Sequence, residues 1–203
     1  MFFKKFWTRP LTKRTSVCYT GSVSLSAKLT NKKKGVDDVK PEIKSAADFL
    51  KKHGIDSFPI DLDKICQNED IQIFAADLSA LAEKDNTQVS GAIAISDEAR
   101  VIYVNKEDVR VRQRFTVAHE LGHYCLHNPD PELAMISLRF GRSPQETEAN
   151  RFAAELLMPE EMLRNECKKT SLVFVPVIAK KFDVSREAMK IRLDYLGLEY
   201  IDI

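Results

Sequence analysis

Long apolar runs are missing from this chain: none approaches the roughly eighteen consecutive apolar residues of a membrane span, so a transmembrane protein is excluded. Cysteine is sparse. Cys18, Cys66, Cys125 and Cys167 lie far apart with no CxxC pair, which argues against a disulfide scaffold and makes a reducing cytoplasm the simplest compartment. The seven glycines form no Gly-rich phosphate loop, and no internal repeat is visible. A secretory leader is disfavoured too: Met1 to Arg14 is basic, but Val17 to Ala27 alternates apolar with polar residues and makes no continuous apolar stretch. Net charge is nearly absent, +1 from 31 Lys and Arg against 30 Asp and Glu, yet it is unevenly spread. Residues 1–40 hold ten Lys and Arg against only Asp37 and Asp38, a balance of +8 that leaves −7 for the remainder. This Ser/Thr-rich arm, with Lys32-Lys33-Lys34, reads as a solvated tail; contact with nucleic acid or anionic lipid is its functional alternative.

What is present is the composition of one globular domain: 203 residues, 44% hydrophobic and 30% charged. Amphipathic pattern begins at Pro41, with Ala46, Phe49 and Leu50 at helical spacing and a stop at Gly54, so the domain is expected over 41–203. A second short helix is expected over Ile60 to Cys66. "IQIFAAD" (Ile71 to Asp77), "VSGAIAIS" (Val89 to Ser96) and "RVIYVN" (Arg100 to Asn105) carry the β-branched and aromatic residues of strands, the last two joined as a hairpin at Ser96-Asp97. Beyond Asn105 the pattern is helical, with a helical C-terminal subdomain over about 160–203. The expected class is α+β, a small three-stranded sheet packed beside several helices.

The segment "RFTVAHELGHYCLH" packs three of the four histidines into nine residues. Asn105 as N-cap and Asn128-Pro129 as terminator predict a helix over Lys106 to His127. On it His119 and His123 are four apart, about 6 Å along one face, so both imidazoles reach one metal ion. Glu120 lies on the adjoining flank, where a carboxylate takes a proton from water that zinc has acidified and passes it to a leaving amine. This is the HExxH arrangement. Mid-helix Gly122 suggests close approach of another group. His127 lies about 12 Å of helix beyond His119, too far to share the ion, and is read as a residue meeting the carbonyls of the helix end. His53 is read as a surface residue.

A catalytic zinc site needs a third protein ligand. "SPQETEANRFAAELLMP" begins with Ser143 as N-cap and Pro144 at the first position, and Glu146 three residues on is assigned to the capping box. Glu148 shares a face with Phe152 and Glu155 and is the expected third ligand, with Glu155 and Glu146 as alternatives. Zn2+ is the favoured ion for two histidines and a carboxylate. Tyr124, Tyr103, Asn150 and Arg151 are nearby candidates for orienting the imidazoles or stabilising an oxyanion.

From about Ile43 to the C-terminus, "RQRFTVAHELGHYCLH" followed by "EANRFAAELLMP", with "GIDSFPIDLDKICQ", "IYVN" and "VSREAMKIRLDYLGL", resembles the ImmA/IrrE family of zinc metallopeptidases. The resemblance implies a zincin-like HExxH helix, zinc held by His119, His123 and Glu148, and Glu120 as general base. It also implies an intracellular regulatory protease whose substrate is a protein such as a helix-turn-helix repressor. The rival from another class is a non-catalytic DNA- or protein-binding module. "VPVIAKKFDVSREAMKIRLDYLG" has the outline of a helix-turn-helix with Arg186, Lys190 and Arg192 as phosphate contacts. Against this stand the apolar stripe Ile178, Ala179, Phe182, Val184, Met189, Leu193 and Leu196 and the acidic balance of 41–203, so direct nucleic-acid binding is expected at most through the arm.

Overall fold

The computed structural model describes residues 43–78, 89–96, 99–127 and 143–202. The basic arm, Asp97 and Asn128-Pro129 lie outside the described residues. Residues Ile43–Ile203 form one compact unit. The helices α1 (Ala46–Lys52) and α2 (Leu62–Asn68) come first, then the strands β1 (Ile71–Ala76), β2 (Gly91–Ile95) and β3 (Arg100–Asn105). The helices α3 (Arg110–Leu126), α4 (Pro144–Leu157), α5 (Glu160–Cys167), α6 (Val175–Phe182) and α7 (Arg186–Tyr195) follow. The class is α+β, as the strand and helix patterns predicted.

The sheet order is β1-β3-β2, with β3 central, parallel to β1 and antiparallel to β2. The antiparallel pair is the expected hairpin; Ser96 closes it by donating its backbone N–H to Ala99 O at 2.9 Å and accepting from Ala99 N at its Oγ at 3.1 Å. Alternation puts Ile93, Ile102 and Val104 into the core, where they meet Val117, Ala118 and Leu121 of α3. A Cβ on Gly91 would lie 2.2 Å from Thr116 Cγ2 and 2.9 Å from Tyr103 O. Only glycine lets α3 cross β2 this closely.

The start of α3 differs from expectation. Asn105 is the last residue of β3, and its side chain donates to Val89 O and accepts from Glu107 N. These local bonds make a turn, so the helix begins at Arg110 after an N-cap, Val109, that gives no side-chain bond. Ser143 does cap α4, accepting from Glu146 N at 3.2 Å. His53 is also corrected: it is the C-cap of α1 and is buried, with Nε2 2.9 Å from Glu69 Oε1.

The C-terminal pair α6 and α7 has the expected helix-turn-helix outline, with Asp183 in the left-handed conformation and Ser185 capping α7. Its expected phosphate contacts are engaged within the fold. Arg186 and Lys190 pair with Asp202 at 2.8 and 3.0 Å, and Arg192 is buried, its Nε donating to Met158 O at 3.1 Å. The apolar stripe Ile178, Ala179, Phe182, Val184, Met189 and Leu193 is buried. No helix among the described residues is long and apolar enough to cross a membrane.

Candidate metal centre

Helix α3 carries the site because it packs one side on the sheet and another on α4. Leu121 and Ala118 face inward, and Gly122 meets α4: a Cβ there would lie 3.1 Å from Ala149 Cα and 3.2 Å from Ala149 O. The close approach that Gly122 suggested is therefore present. It also sets how α4 is rotated. With Ala149 against α3, the residues three before and one after it, Glu146 and Asn150, share the side turned toward the histidines.

Three side chains converge. His119 Nε2 is 3.1 Å from His123 Nε2 and 3.2 Å from Glu146 Oε2, and His123 Nε2 is 3.2 Å from Glu146 Oε1. Among the described residues, His119, His123 and Glu146 form the one group with metal-ligand spacing. The expected third member, Glu148, is elsewhere: its half-exposed carboxylate accepts from His127 Nε2 at 3.0 Å. Glu146 reaches His119 and His123, whereas Glu148, two residues on, meets His127 at the end of α3. The capping-box assignment misled because Ser143 needs only the backbone N–H of Glu146, which leaves the Glu146 side chain free to reach α3.

The donor atoms fit a small cation. Atoms about 2 Å from a shared tetrahedral ion lie about 3.3 Å from one another, close to the three separations here. His119 Nδ1 faces Asn150 Oδ1 at 3.0 Å; donation of Nδ1–H to that oxygen leaves the Nε2 lone pair directed at the site. Desolvation works against charge on Glu146, but the adjoining His119 and His123 imidazoles outweigh it and hold the carboxyl down to about 2. On His119 too, burial is outweighed by Glu146, Glu120 and Asn150, and its pKa is raised.

Glu120 is 4% exposed, lies against β2, and carries one oxygen, Oε2, that has no hydrogen-bond partner. Desolvation pushes its carboxyl up to about 7, with Glu146 adding to the effect and His119 and the Ile93 backbone N–H partly opposing it. A buried acid near neutrality with a vacant oxygen is suited to gaining and losing a proton. The site opens into a groove of about 930 Å³ whose lining includes Gly91, Phe115, His119, Glu120, Ala154 and Ile191. Of the other candidates, Asn150 alone orients an imidazole; Arg151 lines the groove, Tyr103 stacks on Phe74, and Tyr124 donates to Glu69 Oε2 at 3.3 Å. Gly91 and the Ile93 N–H went unnoticed in the sequence, since backbone contacts between a strand and a helix leave no spacing signal.

Comparison with known proteins matches residues 66–194 to the family described as Peptidase_M78, IrrE N-terminal-like domain. No curated protein matches the chain. Among solved structures, the chain is similar to a Mycobacterium tuberculosis transcriptional regulator, with a TM-score of 0.49 and 16% identity over 73% of this chain. It spans 45% of that protein's length.

Proposed function

The chain belongs to the Peptidase_M78 family, with its IrrE N-terminal-like domain, and on that footing we propose that it is a zinc-dependent endopeptidase of the HExxH type with a regulatory role. The observation that carries the reading is the buried, partly unpartnered Glu120 beside the convergent His119, His123 and Glu146. His119, His123 and Glu146 would hold the ion, Glu146 in place of the expected Glu148. Zinc, when bound there, supplies Lewis acidity that makes water nucleophilic near neutrality and polarises a peptide carbonyl. Glu120 takes a proton from the attacking water at Oε2 and returns it to the leaving amine nitrogen. Its depth beside β2 excludes bulk solvent, and Asn150 holds the His119 ring in place.

The substrate is proposed to be a protein, since the groove is wide and walled by apolar side chains of α3, α4 and α7. A helix-turn-helix repressor is the first candidate, and the cytoplasm the proposed compartment, which suits the buried thiols Cys66 and Cys167. The test incubates the zinc-loaded full chain with that repressor, beside Glu120→Gln and Glu146→Gln. Cleavage by wild type alone, with zinc kept in Glu120→Gln and lost in Glu146→Gln, is the expected result. Equal cleavage by Glu120→Gln would sink the mechanism. Stable binding of the repressor without cleavage would instead make the chain a non-catalytic regulatory module.

A further inference from the structure

We propose that His127 and Glu148 are positioning residues that fix the tautomer and orientation of His123, so that its Nε2 lone pair faces the site before an ion arrives; this rests on the metal-centre reading above. His119, His123 and His127 follow one another at four-residue intervals along one face of α3. Their rings form a row, with centroids 4.7 Å and 5.1 Å apart. The row ends on α4, where Glu148 Oε2 meets His127 Nε2 at 3.0 Å. At the other side of the same ring, His127 Nδ1 lies 3.0 Å from His123 Nδ1.

Proton bookkeeping assigns every nitrogen in this row. A carboxylate only accepts, so His127 Nε2–H is the donor to Glu148. A neutral imidazole has one N–H; His127 therefore presents a lone pair at Nδ1, and His123 must donate its Nδ1–H to it. The single proton of His123 is then held on Nδ1 by His127, in competition with the Glu146 carboxylate that faces Nε2 at 3.2 Å, and Nε2 is the atom left for an ion. In water the neutral ring favours the opposite tautomer, with the proton on Nε2, which would block ligation. Helix α4 thus serves the two imidazoles by different routes: Asn150 binds His119 Nδ1 directly, whereas Glu148 acts on His123 through His127. His127 is the C-cap of α3, where the ring is tethered at a helix end yet only 15% exposed.

The test has two readouts on the full chain. The first is nitrogen NMR of the imidazoles in metal-free protein: wild-type His123 is expected to carry its proton on Nδ1, and His127→Leu to shift it toward Nε2. The second is zinc affinity by competition with a chromophoric chelator. His127→Leu is expected to lose about 10- to 100-fold, the usual effect of removing an outer partner of a ligating histidine. His127→Gln, whose amide offers an acceptor to His123 and a donor to Glu148, should recover most of that loss. Glu148→Ala, at a half-exposed side chain, should shift the His127 tautomer and weaken zinc by a smaller factor. A wild-type His123 protonated on Nε2, or equal zinc affinities in wild type and His127→Leu, would overturn the proposal. Equal losses in His127→Leu and His127→Gln would also overturn it, by showing that only ring packing matters. Wild-type protein that binds no zinc would remove the metal-centre reading, while the tautomer in the metal-free protein still judges the relay.

Discussion

Glu69 and Glu120 are both buried, at 8% and 4% exposure, and both lie beside α3, yet their surroundings are opposite. Glu69 faces two donors, Lys52 Nζ and Tyr124 Oη at 3.3 Å, and His53 Nε2 lies 2.9 Å away. Burial alone would raise its pKa, but Lys52 and His53 with the Tyr124 hydroxyl outweigh it and lower the value. Glu120 has the Ile93 N–H, an oxygen with no partner, and a second carboxylate, Glu146, close by. Its carboxyl rises to about 7. A fully partnered buried carboxylate holds α1, α2 and α3 together; a partly partnered one holds chemical potential for proton transfer.

The sharpest break of this contrast is catalytic. In zinc-loaded protein, Glu120→Gln should lower cleavage about 10²- to 10⁴-fold while zinc content stays at the wild-type level, measured by product formation and metal analysis. A smaller loss would move the general base elsewhere.

The same substitution should act on stability with the opposite sign. Because the folded pKa of Glu120 is raised from 4.5 to about 7, the fold favours the protonated form, and the cost of ionising it grows as pH rises through that window. Metal-free Glu120→Gln should therefore become more stable than wild type, by at most roughly 3 kcal/mol near pH 8 and by little below about pH 4.5. Urea midpoints at several pH values check this; a variant weaker than wild type near pH 8 would mean that the carboxylate has a partner in solution.

Glu69→Gln should do the reverse and destabilise by about 1–3 kcal/mol, since Lys52 and His53 lose their acceptor charge. Glu69 has a lowered folded pKa, so its contribution is complete above its unfolded value of 4.5 and is lost as pH falls through the folded value. His53, whose folded pKa burial lowers below 6.5, adds a loss in the same direction as acid protonates it. The Glu69 and His53 contributions should thus weaken on acidification from about pH 6 downward, against the opposing gain from Glu120, and Glu69→Gln should lose less than wild type over that range. Gly122→Ala is the mildest: the gain in helix propensity of about 1 kcal/mol is outweighed by the 3.1 Å approach to Ala149, for a net cost of about 1 kcal/mol and weaker zinc binding as Glu146 shifts.

Local chemistry was legible wherever it depends on spacing within one element. His119 and His123 share a face because they are one turn apart, and Glu120 adjoins them for the same reason. The β-branched runs of β2 and β3 and their hairpin follow from alternation and a Ser-containing turn. What depends on the rotation of one helix against another was not legible. Glu146 and Glu148 each sit plausibly on α4 for contact with α3, and the choice between them was made by Ala149 packing on Gly122. Asn105 was misread for a related reason: a residue that suits a helix cap suits a strand-ending turn equally well, and Val89 O claimed its amide. His53, two lysines behind it, looked solvated until α2 brought Glu69 beneath it.

The sequence by itself determined the helix that bears the HExxH residues, the α+β pattern and the membership of a peptidase-type family, because periodicity and motif are properties of neighbouring residues. Only the tertiary structure decided that Glu146 joins His119 and His123, that Asn150 and the His127–Glu148 pair stand behind them, and that Glu120 is buried with a vacant oxygen. Those facts depend on which atoms two packed helices and an edge strand bring within 3–4 Å, a distance set by glycine and alanine contacts rather than by order along the chain.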